Sequence, residues 1–280
     1  MNIKIEKLIV SRGKTKILDE VDLLINAGEF VAVVGANGAG KTTLLETIAG
    51  DLPYPSGRIL IKDQDLKEWR SADLARCRAV MRQSSNLELQ FTVQEVVLMG
   101  RAPHIHKHET LDDLKITEEA LALVGLSGFE ERIYTRLSGG ERRRVHLARV
   151  LAQVWTTALV DPSYTKRDVS SALLLDEPTA NLDVQAQHQV LRCARHFAKV
   201  GGVVFCVLHD MNLAAQYADR VLILNQGRVC ADGPPSEVFT PELLKSAFHV
   251  DSWIVKPAEL SHPIVVTEPV RSSPSLQNNT

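Results

Sequence analysis

Eight consecutive residues carry the strongest chemical signal in the chain: Gly35, Ala36, Asn37, Gly38, Ala39, Gly40, Lys41 and Thr42. They satisfy G-x-x-x-x-G-K-[ST], in which the glycines let backbone N–H groups curl around phosphate oxygens. A helix opening at Lys41 adds partial positive charge at its N-terminus. In this pattern Lys41 reaches the β- and γ-phosphates of a nucleoside triphosphate, Thr42 places its hydroxyl on Mg²⁺, and Thr43 completes the nucleotide-binding stretch. The context agrees with the motif. An apolar, strand-like run, Phe30–Val34, precedes it, a helical segment from Lys41 follows, and Gly50 stands where a C-terminal cap belongs.

Two further clusters extend this chemistry. After the apolar run Ala172–Leu175 come Asp176 and Glu177. A carboxylate at the end of a buried strand beside a phosphate loop can hold Mg²⁺ through water, and its neighbour can polarise an attacking water as a general base. Adjacent acids can also mark a strand's exit into solvent, but the phosphate loop favours the chemical reading. Ser138, Gly139, Gly140 and Glu141 combine a capping-box spacing with two glycines, a second anion-binding helix N-terminus separate from the first.

These groups need a scaffold. The chain has 280 residues, 45% apolar and 24% charged, enough to bury a core as one large α/β domain or two small ones. The net charge of −2 gives no electrostatic reason to expect nucleic acid as a partner. The run Arg142–Arg144 reads as a solvated helix face. The four cysteines lack C-x-x-C spacing, which argues against a zinc site or disulfide framework and fits a reducing compartment. Charges interrupt Met1–Lys7 too early for a secretory signal, and no apolar run approaches the roughly 20 residues of a spanning helix.

The runs Phe30–Val34, Ala172–Leu175 and Val203–Leu208 lack alternation, as strands buried on both faces of a parallel sheet do. Helical spacing between Gln83 and Trp155 predicts a helical subdomain over about 84–155. Residues 156–171, with Pro162, read as a surface loop. Residues 256–280, with four prolines among Ser and Asn, read as a flexible tail. No repeat or long heptad run is present.

The pentapeptide Leu137–Glu141 resembles the LSGGQ-like signature of ABC transporter ATPases, with Glu141 in place of Gln. The resemblance covers about residues 2–250. It implies a single domain over 1–255, a P-loop NTPase core with a mainly parallel sheet, an N-terminal antiparallel portion and the inserted helical subdomain. It also implies that the signature contacts the γ-phosphate of ATP held by a second copy in a head-to-tail dimer. Gln83 resembles the glutamine that senses Mg²⁺ and links core to insert, Ala180–Asp183 the loop that crosses the dimer, and His209 the switch histidine at the γ-phosphate. The family's adenine-stacking aromatic falls at Arg12, whose guanidinium can stack in its place.

Other segments bear on cargo. Gly100–His104 resembles the G-R-x-P-H stretch of ATPases serving metal-chelate importers, and His209–Asp219 fits the same group. Arg149–Trp155 with the polar loop after it resembles haemin importer ATPases. The resemblance implies haemin uptake through two permease subunits, with a periplasmic haem-binding protein as indirect partner and this chain peripheral on the cytoplasmic face of the inner membrane. Siderophore or cobalamin import is the alternative within transport. A soluble, non-transport ABC ATPase usually carries coiled coils or two ATPase halves, absent here. His104, His106 and His108 read as a polar loop cluster, not as ligands.

Overall fold

The structure is a computed structural model that describes residues 1–83, 90–161 and 169–269. Its first part contains β1 (Ile3–Arg12), β2 (Thr15–Ile25), β3 (Phe30–Val34), α1 (Lys41–Ile48), β4 (Ser56–Ile61), β5 (Gln64–Asp65), α2 (Ser71–Cys77) and β6 (Arg78–Met81). A helical stretch follows, with α3 (Val93–Leu98), α4 (Leu111–Leu123) and α5 (Gly139–Gln153). The chain then returns to the sheet through β7 (Ala172–Asp176), α6 (Val184–Lys199), β8 (Val203–Val207), α7 (Met211–Tyr217), β9 (Arg220–Asn225) and β10 (Arg228–Gly233). It ends in α8 (Pro235–Val238), α9 (Pro241–Phe248), β11 (Val250–Val255) and β12 (Ile264–Pro269).

A six-stranded sheet in the order β10-β9-β3-β8-β7-β6 is parallel from β9 to β6, with β10 antiparallel at the edge. Every residue of β3, β7 and β8 is buried. Alternate residues enter two cores. Phe30, Ala32 and Val34 pack with the helical stretch, whereas Val31 and Val33 pack with α1 and the antiparallel sheet β2-β1-β4-β5. Covering on both faces is why these strands read as continuous apolar runs.

The helical insert is fixed by Arg101, which donates to Asp113 at 2.9 Å and to the carbonyl of Ala152 at 2.7 Å, tying α4 to the end of α5. The ion pair is nearly sealed, with side chains 10% and 8% exposed. Burial pushes the Asp113 carboxyl up, but hydrogen bonds from Thr110 and Arg101 outweigh it and hold the group below the usual range. Gly100 is required by close approach, since a Cβ there would lie 2.1 Å from the Arg149 carbonyl oxygen. Arg101→Ala leaves Asp113 buried without its cation, and the expected loss is about 3–5 kcal/mol of unfolding free energy, read by urea denaturation at unchanged slope.

Three sequence expectations change. Ile264–Pro269 of the expected tail is a strand, paired with β11 from Val250↔Pro269 to Val255↔Ile264. Asn212 on α7 clasps it, accepting from Val265 N at 2.7 Å and donating to Val265 O at 3.1 Å. Pro257 and Pro263 precede this strand and Pro269 stands at its end, where they cost no ladder bond, and the rest of the expected tail, 270–280 with Pro274, lies outside the described residues. Within 156–171, Thr157–Leu159 forms a 3₁₀ turn with Ala158 and Leu159 buried, and His196 Nε2 meets the Leu159 carbonyl at 2.9 Å; Pro162 lies outside the described residues. In the basic run Arg143 departs from the solvated-face reading because it is buried, whereas Arg142 is exposed and Arg144 partly buried, each also donating to backbone carbonyls.

Candidate active site

The parallel order β3-β8-β7-β6 places the exits of four neighbouring strands side by side at their carboxyl ends, where open α/β sheets bind ligands. The phosphate loop leaves β3, His209 follows β8, Asp176 and Glu177 end β7, and Gln83 follows β6. Residues separated by more than a hundred positions therefore converge because their strands are adjacent.

In the phosphate loop, Gly38 and Gly40 have φ of 79° and 104°, a region that favours glycine. At Gly35 a Cβ would lie 2.2 Å from the Leu224 carbonyl oxygen, so only glycine lets the loop turn against β9. Lys41 Nζ donates to the carbonyls of Gly35 at 2.8 Å and Ala36 at 3.1 Å, which holds the ammonium inside the loop. Burial lowers the Lys41 pKa, while the Glu177 and Asp176 carboxylates work in the opposite direction. A cavity of about 300 Å³ over the loop is lined by Asn37, Gly38, Gly40, Lys41, Thr42, Thr43, Glu177 and also Ile17.

Thr42 Oγ1 lies 3.2 Å from Asp176 Oδ1. Burial raises the Asp176 pKa, the Glu177 and Glu46 charges add to the rise, and the Thr42 hydrogen bond opposes it. Thr42, Gln83 and Asp176 line one cavity of about 230 Å³. Hydroxyl, amide and carboxylate oxygens in an electronegative recess fit a hard divalent cation such as Mg²⁺.

Glu177 lies at the centre of the polar contacts. Gln83 Nε2 donates to its Oε2 at 2.7 Å, and His209 Nε2 is 2.5 Å from its Oε1. Its backbone is left-handed, φ 47°, a conformation that costs a non-glycine residue about 1–3 kcal/mol and persists only where surrounding bonds enforce it. Here Glu177 N donates to Val207 O at 3.2 Å and Glu177 O accepts from Arg143.

The signature lies elsewhere on the chain. Ser138 accepts from Glu141 N at 3.3 Å while Glu141 accepts from Ser138 N at 2.7 Å, a complete capping box, and that backbone bond lowers the Glu141 pKa. Gly139 has nothing near its open side, and a Cβ at Gly140 would meet only Leu182, at 3.7 Å. None of Ser138–Glu141 lines the phosphate-loop cavity. Asp183 caps α6 by accepting from Ala186 N at 2.8 Å, and the Leu182–Gly140 approach puts the 180–183 turn beside the signature.

Arg12 is exposed at the end of β1, opposite Thr15, and from this hairpin Ile17 lines the phosphate-loop cavity, its carbonyl oxygen 2.9 Å from where a Cβ at Gly40 would lie. Among the three loop histidines, His104 is half-buried and its Nε2 meets the Gln153 carbonyl at 2.8 Å, whereas His106 and His108 are exposed. Among the described residues no helix is long and apolar enough to cross a membrane.

Comparison with known proteins agrees with this geometry. A family model described as ABC transporter matches residues 18–163. The chain is similar to the Hemin import ATP-binding protein HmuV of Gloeobacter violaceus, 44% identical over 261 residues, covering 93% of this chain and 91% of that protein. It is similar to the HmuV of Plesiomonas shigelloides at 42% identity, covering 90% and 96%. Among solved structures, a metal-chelate type ABC transporter in an inward-facing conformation superposes with a TM-score of 0.76 at 25% identity, covering 95% of this chain and 97% of that one. A dimeric bacterial ABC transporter cassette superposes with a TM-score of 0.69 at 25% identity, covering 83% and 98%. The chain belongs to the ABC transporter family.

Proposed function

We propose that this chain is the ATP-hydrolysing subunit of an importer that takes up haemin. One observation carries the ATPase reading: Glu177 stands beside the phosphate loop with Gln83 and His209 both on its carboxylate. ATP lies with its phosphates in the loop, held by backbone N–H groups, Lys41 and Thr43. Thr42, Asp176 and Gln83 would hold Mg²⁺, which when bound neutralises charge on the phosphate oxygens. Glu177 accepts the proton of the attacking water, while the Gln83 amide and His209 imidazole keep its carboxylate turned toward the loop. Phosphoryl transfer of this kind depends on positioning and charge stabilisation more than on covalent help from the protein.

Ser138–Glu141 is an exposed, capped helix end with two glycines, away from the chain's own phosphate loop. That geometry suits a nucleotide held by a second copy in a head-to-tail dimer, with Asp183 beside the contact. Motion of the helical insert on closure would then be passed to two permease subunits, with the chain peripheral on the cytoplasmic face of the inner membrane. The haemin reading is supported by the names of relatives at 40–44% identity over most of the chain. Deleting the gene should abolish growth-supporting uptake of haemin but not of ferric siderophore or cobalamin, and co-purification should recover an integral membrane partner. Retained haemin uptake with lost siderophore or cobalamin uptake would move the cargo assignment.

A further inference from the structure

The side chain of Arg143 on α5 reaches both catalytic strand exits. Its Nε donates to Pro178 O at 3.2 Å. Nη1 donates to Arg82 O at 3.0 Å and Gln83 O at 2.7 Å, and Nη2 to Asp176 O at 3.1 Å and Glu177 O at 2.5 Å. All three guanidinium nitrogens are used on five backbone carbonyls. Two of these belong to the segment leaving β6, and three to the segment leaving β7.

This bracket has a chemical consequence beyond filling the core. The two segments that it joins are those whose side chains meet, since Gln83 Nε2 donates to Glu177 Oε2 at 2.7 Å. One of the carbonyls is that of Glu177 itself, the residue in the left-handed region. A planar fork with several donors fixes direction as well as distance, which a flexible ammonium does not. Burial works against the Arg143 charge, and the nearby Asp176 and Glu177 carboxylates favour it.

The bracket is also rigidly joined to the signature. Arg143 lies just past the first turn of a helix capped at Ser138, and Val145, Leu147, Ala148, Val150 and Leu151 anchor that helix in the core. A tilt or slide of α5 therefore moves the carbonyl clamp with the signature.

We propose that Arg143 is a positioning residue for hydrolysis, which sets the Gln83–Glu177 geometry of its own site and ties that geometry to engagement of Ser138–Glu141 with the opposite subunit's nucleotide. The second half rests on the shared-site reading above.

The test is steady-state ATP turnover by the full chain carrying Arg143→Lys or Arg143→Gln, with nucleotide affinity and melting temperature measured in parallel. Arg143→Lys keeps charge and bulk but cannot fork across both segments. Its MgATP affinity is expected to stay within about twofold of the parent while kcat falls about tenfold or more, because small displacements of a reacting group cost large factors in rate. Its Hill coefficient for ATP is expected to fall toward 1. Arg143→Gln, which can donate to two carbonyls at most, should lose more kcat at similar affinity. Parental kcat in folded Arg143→Lys overturns the positioning role. So does a parallel loss of affinity, kcat and melting temperature in both variants, or failure of both to fold, since each marks a structural cation only. If the parent protein itself turns over ATP at a rate per chain independent of protein concentration and with no cooperativity, the shared-site reading fails, and the proposed coupling fails with it; the kcat arm still judges the positioning role.

Discussion

Glu177→Gln is expected to bind MgATP as the parent does and to lose turnover by about three orders of magnitude, in the middle of the range for a lost general base. The argument is one of near-isosteric replacement. A glutamine amide has the same reach, its oxygen can still accept from Gln83 Nε2, and the left-handed backbone stays clamped through Val207 O and Arg143. What it cannot do is take a proton from water. The phosphate loop is untouched, so binding of a fluorescent ATP analogue should not change, while phosphate release should almost vanish. Hydrolysis at the parental rate by the purified variant would remove Glu177 from the role of base. Equal loss of binding and turnover would instead mean that Glu177 contributes to holding nucleotide.

Ser138→Arg is expected to leave nucleotide affinity near the parental value and to reduce turnover by about a hundredfold or more, the scale of removing one donor set aimed at developing charge. The substitution removes a helix cap worth about 1 kcal/mol and places a long cation where a phosphate would lie. α5 should survive it, because its buried residues lie in the core of the insert. Its own phosphate-loop cavity contains none of Ser138–Glu141, so affinity and turnover should separate. Light scattering supplies the second readout. With ATP, Glu177→Gln alone should shift to twice the monomer mass, and adding Ser138→Arg should return it to monomer. A Ser138→Arg chain with full turnover would show that the signature takes no part in the reaction.

Much of this site was legible in the sequence because its parts are local. The phosphate loop is one strand–turn–helix unit, and Gly38 and Gly40 are needed for positive-φ conformations that the loop's own backbone adopts, although Gly35 is required by the approach of β9. The capping box at Ser138 and Glu141 is likewise a four-residue device, and the structure shows both of its hydrogen bonds. The buried strands betrayed themselves by lacking alternation. Arg143 was misread for the opposite reason: within a triple-arginine run it looked solvated, although it shares a helix face with Leu147, Val150 and Leu151, all buried. Spacing along α5 would have found it. Ile17 carried no such signal, since β2 meets the phosphate loop only where the antiparallel sheet packs on α1. The strand at Ile264–Pro269 was hidden by proline content, and its pairing with β11 depends on a partner that composition does not name.

Resemblance to a family marked Gln83 and His209, and the amino-acid order by itself determined the rest of the chemistry available: a phosphate cradle, a pair of carboxylates and a capped glycine-rich helix end. Each depends on neighbours in the chain. Only the tertiary structure decided which of these act on one another. The sheet order β3-β8-β7-β6 brings Gln83 and His209 onto the two oxygens of Glu177, and α5 lays Arg143 across the carbonyls beneath them. The reason is physical: hydrogen bonds of 2.5–3.2 Å between residues tens to more than a hundred positions apart exist only after strands have paired and helices have packed.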